Sequence, residues 1–209
     1  MARLLIVCAM TGLVAACASA PVLRPTPPPP PMDAAAACLN TLNQRHILYD
    51  KVQDWTTPEG CGIANAVRIK QSSIAWNRPS LVTCAMENTI WDYETQVVQP
   101  AAQRHFGHKV RKLWHAGTYN CRGERGGRPE RLSQHSFGKA IDITGFELDD
   151  GTVVSVAHDW RDKGEKSEFL HEVAKGACGL FSVVMTPNRN AEHHDHLHLD
   201  IGPYKLCGY

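Results

Sequence analysis

Beyond Ala20 the sequence has no long apolar run, nowhere has it a Cys-x-x-Cys pair, and it has almost no surplus of charge, with 22 Lys and Arg against 21 Asp and Glu. Lacking a second apolar run, the chain offers no further membrane-spanning helix, which needs about 20 such residues. The balanced, scattered charge leaves no electrostatic footprint for nucleic acid. Without Cys-x-x-Cys spacing, thiolate ligation of zinc is a weak reading. No internal repeat is visible.

The one apolar run stands at the front. After Arg3, an uncharged stretch from Leu4 to Ala16 is too short for a stable span but has the length of a secretory signal core. Two processing sites compete. "VAAC" at 14–17 reads as a lipobox that makes Cys17 the lipidated N-terminus, and "ASA" at 18–20 reads as an ordinary signal-peptidase site. The lipobox is favoured here. Its acyl chains, at ~0.8 kcal/mol per buried CH₂, would hold the protein on a membrane. The expected address is periplasmic, lipid-anchored to the outer membrane, with a soluble secreted or periplasmic protein as the alternative.

Seven prolines between Pro21 and Pro31 favour extended polyproline II over a packed element. The expected organisation is therefore a signal segment at 1–17, a Pro/Ala-rich linker at 18–37 and one folded domain at 38–209. Six cysteines remain in that domain, Cys38, Cys61, Cys84, Cys121, Cys178 and Cys207. An even count in an exported domain implies up to three disulfides, whose pairing the sequence leaves open.

Within the domain, Met86, Ile90, Tyr93, Val97 and Ala101 recur at helical steps. Thr83 is placed to cap that helix, Pro100 to break it or start a second, and Gly107 to stop it. A further helix is expected over about 166–177 from Phe169, Leu170, Val173 and Ala177. "AIDITGFEL", "TVVSV", "LFSVVM" and "HLHLDI" read as strands. Helices and strands are interspersed without regular βαβ alternation, so the expected class is α+β around an antiparallel sheet. The Gly- and Arg-rich stretch at 120–133, with Arg122, Arg125, Arg128 and Arg131, reads as a loop, either solvated or forming a rim that attracts carboxylates.

The densest chemistry lies in "HHDHLHLD" at 193–200, four histidines and two aspartates in one short tract. In a strand, residues two apart share a face. His196 and His198 then point one way, while Leu197 and Leu199 point to the core. Upstream, "SQHSFGKAID" at 133–142 presents Asp142 on the face opposite Ile141 and Ile143. Gly138 allows a tight fold that returns His135 beside Asp142. Two histidines and one carboxylate, with a fourth position left for water, describe catalytic rather than structural zinc.

These residues carry a resemblance. Ser133, His135, Gly138, Ala140 and Asp142 fill every fixed place of the S-x-H-x-x-G-x-A-x-D pattern of the LAS metallopeptidases, which are zinc D-Ala-D-Ala peptidases and lysostaphin-type enzymes. "DHLH" matches their closing motif. The span from about Cys38 to Cys207, with "TYNCR", "SQHSFGKAIDITGF" and "HDHLHLD", resembles more closely the bacterial extensin-like C-terminal domain family. The resemblance implies a LAS-like antiparallel sheet flanked by helices, with Zn²⁺ on the sheet held by His135, Asp142 and His198. It also implies Asp195 as general base, His196 as oxyanion stabiliser, Arg122 as the substrate-engaging arginine and Ser133 as a residue that orients a ligand. Asp195 has the wrong strand parity to face His198, so it must lie in an irregular entry to the strand. His193 and His194 are expected to be exposed or behind the ligands.

The expected function is zinc-dependent hydrolysis of peptidoglycan stem peptides or cross-links. The alternative is a metal-containing lipoprotein that binds peptidoglycan without turnover. Carboxypeptidase and endopeptidase action both stay open, as does the oligomeric state.

Overall fold

The computed structural model describes residues 33–124 and 130–208. Cys17, the expected signal segment, the linker up to residue 32, and Arg125 and Arg128 lie outside the described residues. Among the described residues no helix is long and apolar enough to cross a membrane.

In chain order, α1 (Ala34–Gln44) leads into β1 (Leu48–Lys51), β2 (Trp55–Thr56), β3 (Gly62–Ile63), β4 (Ala66–Gln71), β5 (Ala75–Trp76) and β6 (Ser80–Thr83). Next come α2 (Cys84–Tyr93), a π-helical turn (Glu94–Val98), α3 (Gln99–Phe106) and β7 (Val110–Gly117). The second half holds a 3₁₀ turn (Gln134–Phe137), β8 (Ala140–Leu148), β9 (Val153–Ser155), α4 (Val156–Asp159), α5 (Glu165–Ala177) and β10 (Val183–Met185). A second 3₁₀ turn (Ala191–His193), β11 (Leu197–Asp200) and β12 (Leu206–Gly208) complete it.

Helix α1 starts inside the stretch read as linker. Asp33 accepts a 2.6 Å bond from the Ala36 amide, and the alanines that follow are the strongest helix formers. Thr83 caps α2 through Met86 N–H at 3.0 Å. Pro100 does not break the helix but starts a second one, sitting in the first turn of α3. The π turn before it widens the ladder around the buried Glu94, whose carboxylate accepts from Ser73 Oγ, Ile74 N–H and Trp76 Nε1–H. Gly107 closes α3 in the left-handed conformation.

The main sheet runs β12-β10-β11-β8-β7-β5, with β9 also on β8. It is mixed rather than antiparallel, because β10 pairs β12 and β5 pairs β7 in parallel at its two ends. The central pairs β11–β8 and β8–β7 are antiparallel. A smaller sheet joins β1, β4 and β6. Ile141, Ile143, Leu197 and Leu199 face a buried cluster with Ile90, Tyr93, Val98, Phe169, Leu170 and Val173, so α2, α3 and α5 cover one sheet face. Phe169 meets Phe146 and Phe106 with ring centroids 5.3 Å apart, an edge-on or tilted contact favoured by the ring quadrupoles.

The register of β7 against β8 skips one residue between Gly145 and Ile143. This bulge switches the inward set of β8 from Phe146 and Leu148 to Ile143 and Ile141, and thereby turns Asp142 to the uncovered face.

Three disulfides join Cys38 to Cys84, Cys61 to Cys121, and Cys178 to Cys207. The second ties the residue before β3 to the residue before Arg122. The third ties the end of α5 to β12, the sheet's edge.

Candidate metal centre

Asp142 and His198 are register partners on β8 and β11. The antiparallel pairing brings His198 Nδ1 to 2.9 Å from Asp142 Oδ1. His135 arrives from the 3₁₀ turn, its Nε2 at 3.0 Å from the same carboxylate oxygen and 3.2 Å from His198 Nδ1. The turn is built for this. Ser133 Oγ accepts from the His135 amide at 3.4 Å, while Gly138 ends the turn at φ 62°. A Cβ at Gly138 would stand 2.5 Å from Ile63 Cδ1, so only glycine fits both the angle and the space.

Each imidazole is fixed by a bond on its far side. His135 Nδ1–H donates to the Thr118 carbonyl at 2.6 Å, and His198 Nε2–H donates to Asp200 Oδ2 at 3.1 Å. The other Asp200 oxygen accepts from Gly202 N–H at 2.8 Å. In the neutral rings these bonds leave the lone pairs of His135 Nε2 and His198 Nδ1 directed at Asp142 Oδ1. Three electron-rich atoms so close together repel one another unless a cation lies among them. His135, Asp142 and His198 can hold a metal ion, and two imidazole nitrogens with one carboxylate oxygen suit a divalent ion of borderline softness.

Without a bound ion, a proton shared with Asp142 takes its place. Burial pushes His198 down, but hydrogen bonds to Asp142 and Asp200 outweigh it and hold the ring up at about 9. Burial acts to raise Asp142, yet the hydrogen bonds from His135 and His198 prevail and hold it well below the usual carboxylate range.

The extensin-like protein C-terminus family matches residues 36–208. The chain belongs to this family. No curated protein and no solved structure matches it.

In this extensin-like domain Arg122, Ser133 and His196 line, together with Asp142 and His198, a cleft of about 320 Å³. His196 precedes β11 and is partly buried, with Nε2 3.5 Å from Asp142 Oδ1. Its Nδ1–H donates to Asp195 Oδ1 at 2.8 Å. Asp195 does sit in the irregular entry to the strand, after the second 3₁₀ turn, and its side chain is 47% exposed. It reaches the metal-binding group through His196 rather than directly. Ser133 holds the backbone of His135, whereas the ring is oriented by Thr118. Arg122 is anchored by its main chain, which donates to Ser136 Oγ at 3.0 Å and accepts from the Ser133 amide.

His193 is largely buried in the wall of the same cleft, with ring centroids 5.2 Å from His196 and 5.8 Å from His198. Its Nδ1 meets Asn190 Oδ1 at 2.6 Å. Burial first, then the neighbouring His198 and His196, push it down to about 4, so it is neutral near pH 7. His194 is exposed.

Asp200 and the Thr118 carbonyl were not singled out from the sequence. Asp200 carried a readable signal, since it shares strand parity with His196 and His198 in "HLHLD". The Thr118 carbonyl carried none, because a backbone oxygen leaves no trace in side-chain pattern.

Proposed function

We propose that this extensin-like domain is a zinc-dependent peptidase acting on peptidoglycan stem peptides or their cross-links. The observation that carries the reading is the convergence of His135 Nε2, Asp142 Oδ1 and His198 Nδ1 at one point beside the cleft. Those three residues would hold the ion. Once bound, zinc would supply Lewis-acid polarisation of the scissile carbonyl and a nucleophile at neutral pH.

The protein's own groups would do the rest. The bond from His196 Nδ1–H to Asp195 leaves His196 Nε2 as the end nearest Asp142. The pair would act as one unit, in which Asp195 takes a proton from the attacking water and passes it to the leaving amine, a contribution of typically ~10² to 10⁴ in rate, and His196, when both ring nitrogens carry protons, donates from Nε2 to the developing oxyanion. Arg122, on the cleft wall, engages a substrate carbonyl or carboxylate. The resemblance to LAS metallopeptidases supports the substrate class. The three disulfides support an oxidising compartment, consistent with a periplasmic protein lipid-anchored through Cys17.

One observation favours the alternative, a metal-containing lipoprotein that binds peptidoglycan without turnover. Asp195 touches the metal-binding group only through His196. Mass spectrometry of defined muropeptides incubated with the zinc-loaded protein separates the two readings. A peptidase gives a product mass that disappears in His135→Ala, which loses metal, and in Asp195→Ala, which keeps it. No product, together with stoichiometric zinc and retained muropeptide, would sink the peptidase reading and leave the binding protein.

A further inference from the structure

The cleft that holds the metal-binding group has a second wall, and its chemistry is unlike the first. Residues 122–124 and 131–133 form the arms of a hairpin, bridged by Gly123 and Leu132 and by the Glu124 amide donating to the Arg131 carbonyl at 2.8 Å. Arg131 on the returning arm lies with its guanidinium carbon 3.7 Å from the centre of the Tyr204 ring. Its Nε is 3.4 Å from Glu124 Oε1. Stacking and the single ion pair together fix the plane of the fork. Arg131 Nη2 is buried without an acceptor among the described residues, although the side chain as a whole is 31% exposed.

A shielded donor with no acceptor is costly to leave. The side chain keeps 31% exposure on the cleft, so a small turn of the fork would present that donor to a carboxylate, which a planar guanidinium recognises by paired hydrogen bonds. The surroundings agree in charge. Away from Asp142 and Asp200, which are occupied with histidines, the cleft lining carries Arg122, Arg131 and Arg189 against Glu124 and Glu192. That wall is cationic on balance.

We propose that Arg131, stacked on Tyr204, is a specificity-determining subsite for a side-chain carboxylate of the peptide that enters this cleft. The inference rests on the peptide-binding reading given above and adds that the preferred peptide bears an acidic group apart from its backbone termini. Glu124 tempers the site, since its ion pair with Arg131 competes with the incoming carboxylate.

The test uses two synthetic stem pentapeptides, identical except that the third residue is diaminopimelate in one and lysine in the other. They differ by one carboxylate. Affinity is measured by calorimetry on the full zinc-loaded chain carrying Asp195→Ala to prevent turnover. The diaminopimelate peptide should bind about ten- to a hundredfold more tightly, the worth of one charge-assisted contact. In Arg131→Met the advantage should vanish while the lysine peptide binds within about twofold of before. Tyr204→Leu should reduce the advantage, and Glu124→Gln should enlarge it, so the outcome does not rest on one variant's folding. Equal affinities for the two peptides, or a preference that survives Arg131→Met, overturns the subsite alone. If neither peptide binds, the peptide-binding reading falls and this inference falls with it.

Discussion

His198 and Asp142 stand directly opposite one another on antiparallel strands β11 and β8, ring nitrogen and carboxylate oxygen 2.9 Å apart. Their neighbours Leu197 and Leu199 face Ile143 and Ile141 on the covered side. A slip of one residue would drive the polar pair into the core and the leucines out. The hydrophobic pattern that stabilises the sheet therefore also sets the register of the site.

The carboxylate of Asp200 fixes the ring of His198 from behind. Asp200→Asn should weaken metal binding about tenfold or more, measured by competition with a chromogenic chelator. Unchanged affinity would mean that strand packing alone orients the ring.

Gly138 combines φ 62° with a Cβ position 2.5 Å from Ile63 Cδ1, a fully buried neighbour. Gly138→Ala should cost about 1–3 kcal/mol in urea denaturation. It should also displace His135 and lower metal affinity. Stability lost without any change in affinity would separate the turn from the site.

Glu87 is fully buried, and among the described residues neither carboxylate oxygen has a partner at hydrogen-bond distance, with the Ser72 hydroxyl only a weak opposing influence on its acidity. Burial, then the charge of Glu94, raise it well above its ordinary 4.5. The folded state thus keeps a proton that the unfolded chain releases. This contribution is full below about 4.5 and is lost as pH rises through the folded value. Glu87→Gln should remove that slope, so its gain in melting temperature over the parent protein should be larger at pH 8 than at pH 5. An equal difference at both values contradicts a raised Glu87.

The disulfide Cys61–Cys121 closes a separation of 60 residues and Cys178–Cys207 one of 29. Replacing either pair with serines should cost ~2–5 kcal/mol, and the loop-closure argument makes the first loss larger by about 0.6 kcal/mol. Denaturant melts of the two double variants check the order. Cys121 adjoins Arg122 and Cys207 adjoins Leu206, both in the cleft lining, so each double variant should also change ligand affinity there.

Local pattern made much of the molecule readable. Helix α5 followed from Phe169, Leu170 and Val173, the cap of α2 from Thr83, and the split faces of β11 and of β8 from Ile141 to Thr144 from local alternation, because those signals lie in adjacent residues. Strand β7 was not readable. Its three register shifts against β8, between Val110 and Lys112, Trp114 and His115, and His115 and Gly117, break the period of two on which strand recognition depends. The parallel edge pairs were equally hidden, since the partner of an edge strand is chosen by chain crossovers rather than by its own sequence.

By itself, then, the sequence determined which residues carry polar chemistry on faces opposite a core: His135, Asp142, His196 and His198, with Gly138 to fold the chain between the first two. Only the tertiary structure decided how they meet. It paired His198 with Asp142 across two strands, linked Asp195 to His196, set the Thr118 carbonyl and Asp200 behind the two rings, and chose three disulfides from the possible pairings. Side-chain alternation is fixed by backbone geometry over two residues, whereas each of those contacts joins residues brought together by packing or set by the path of the backbone.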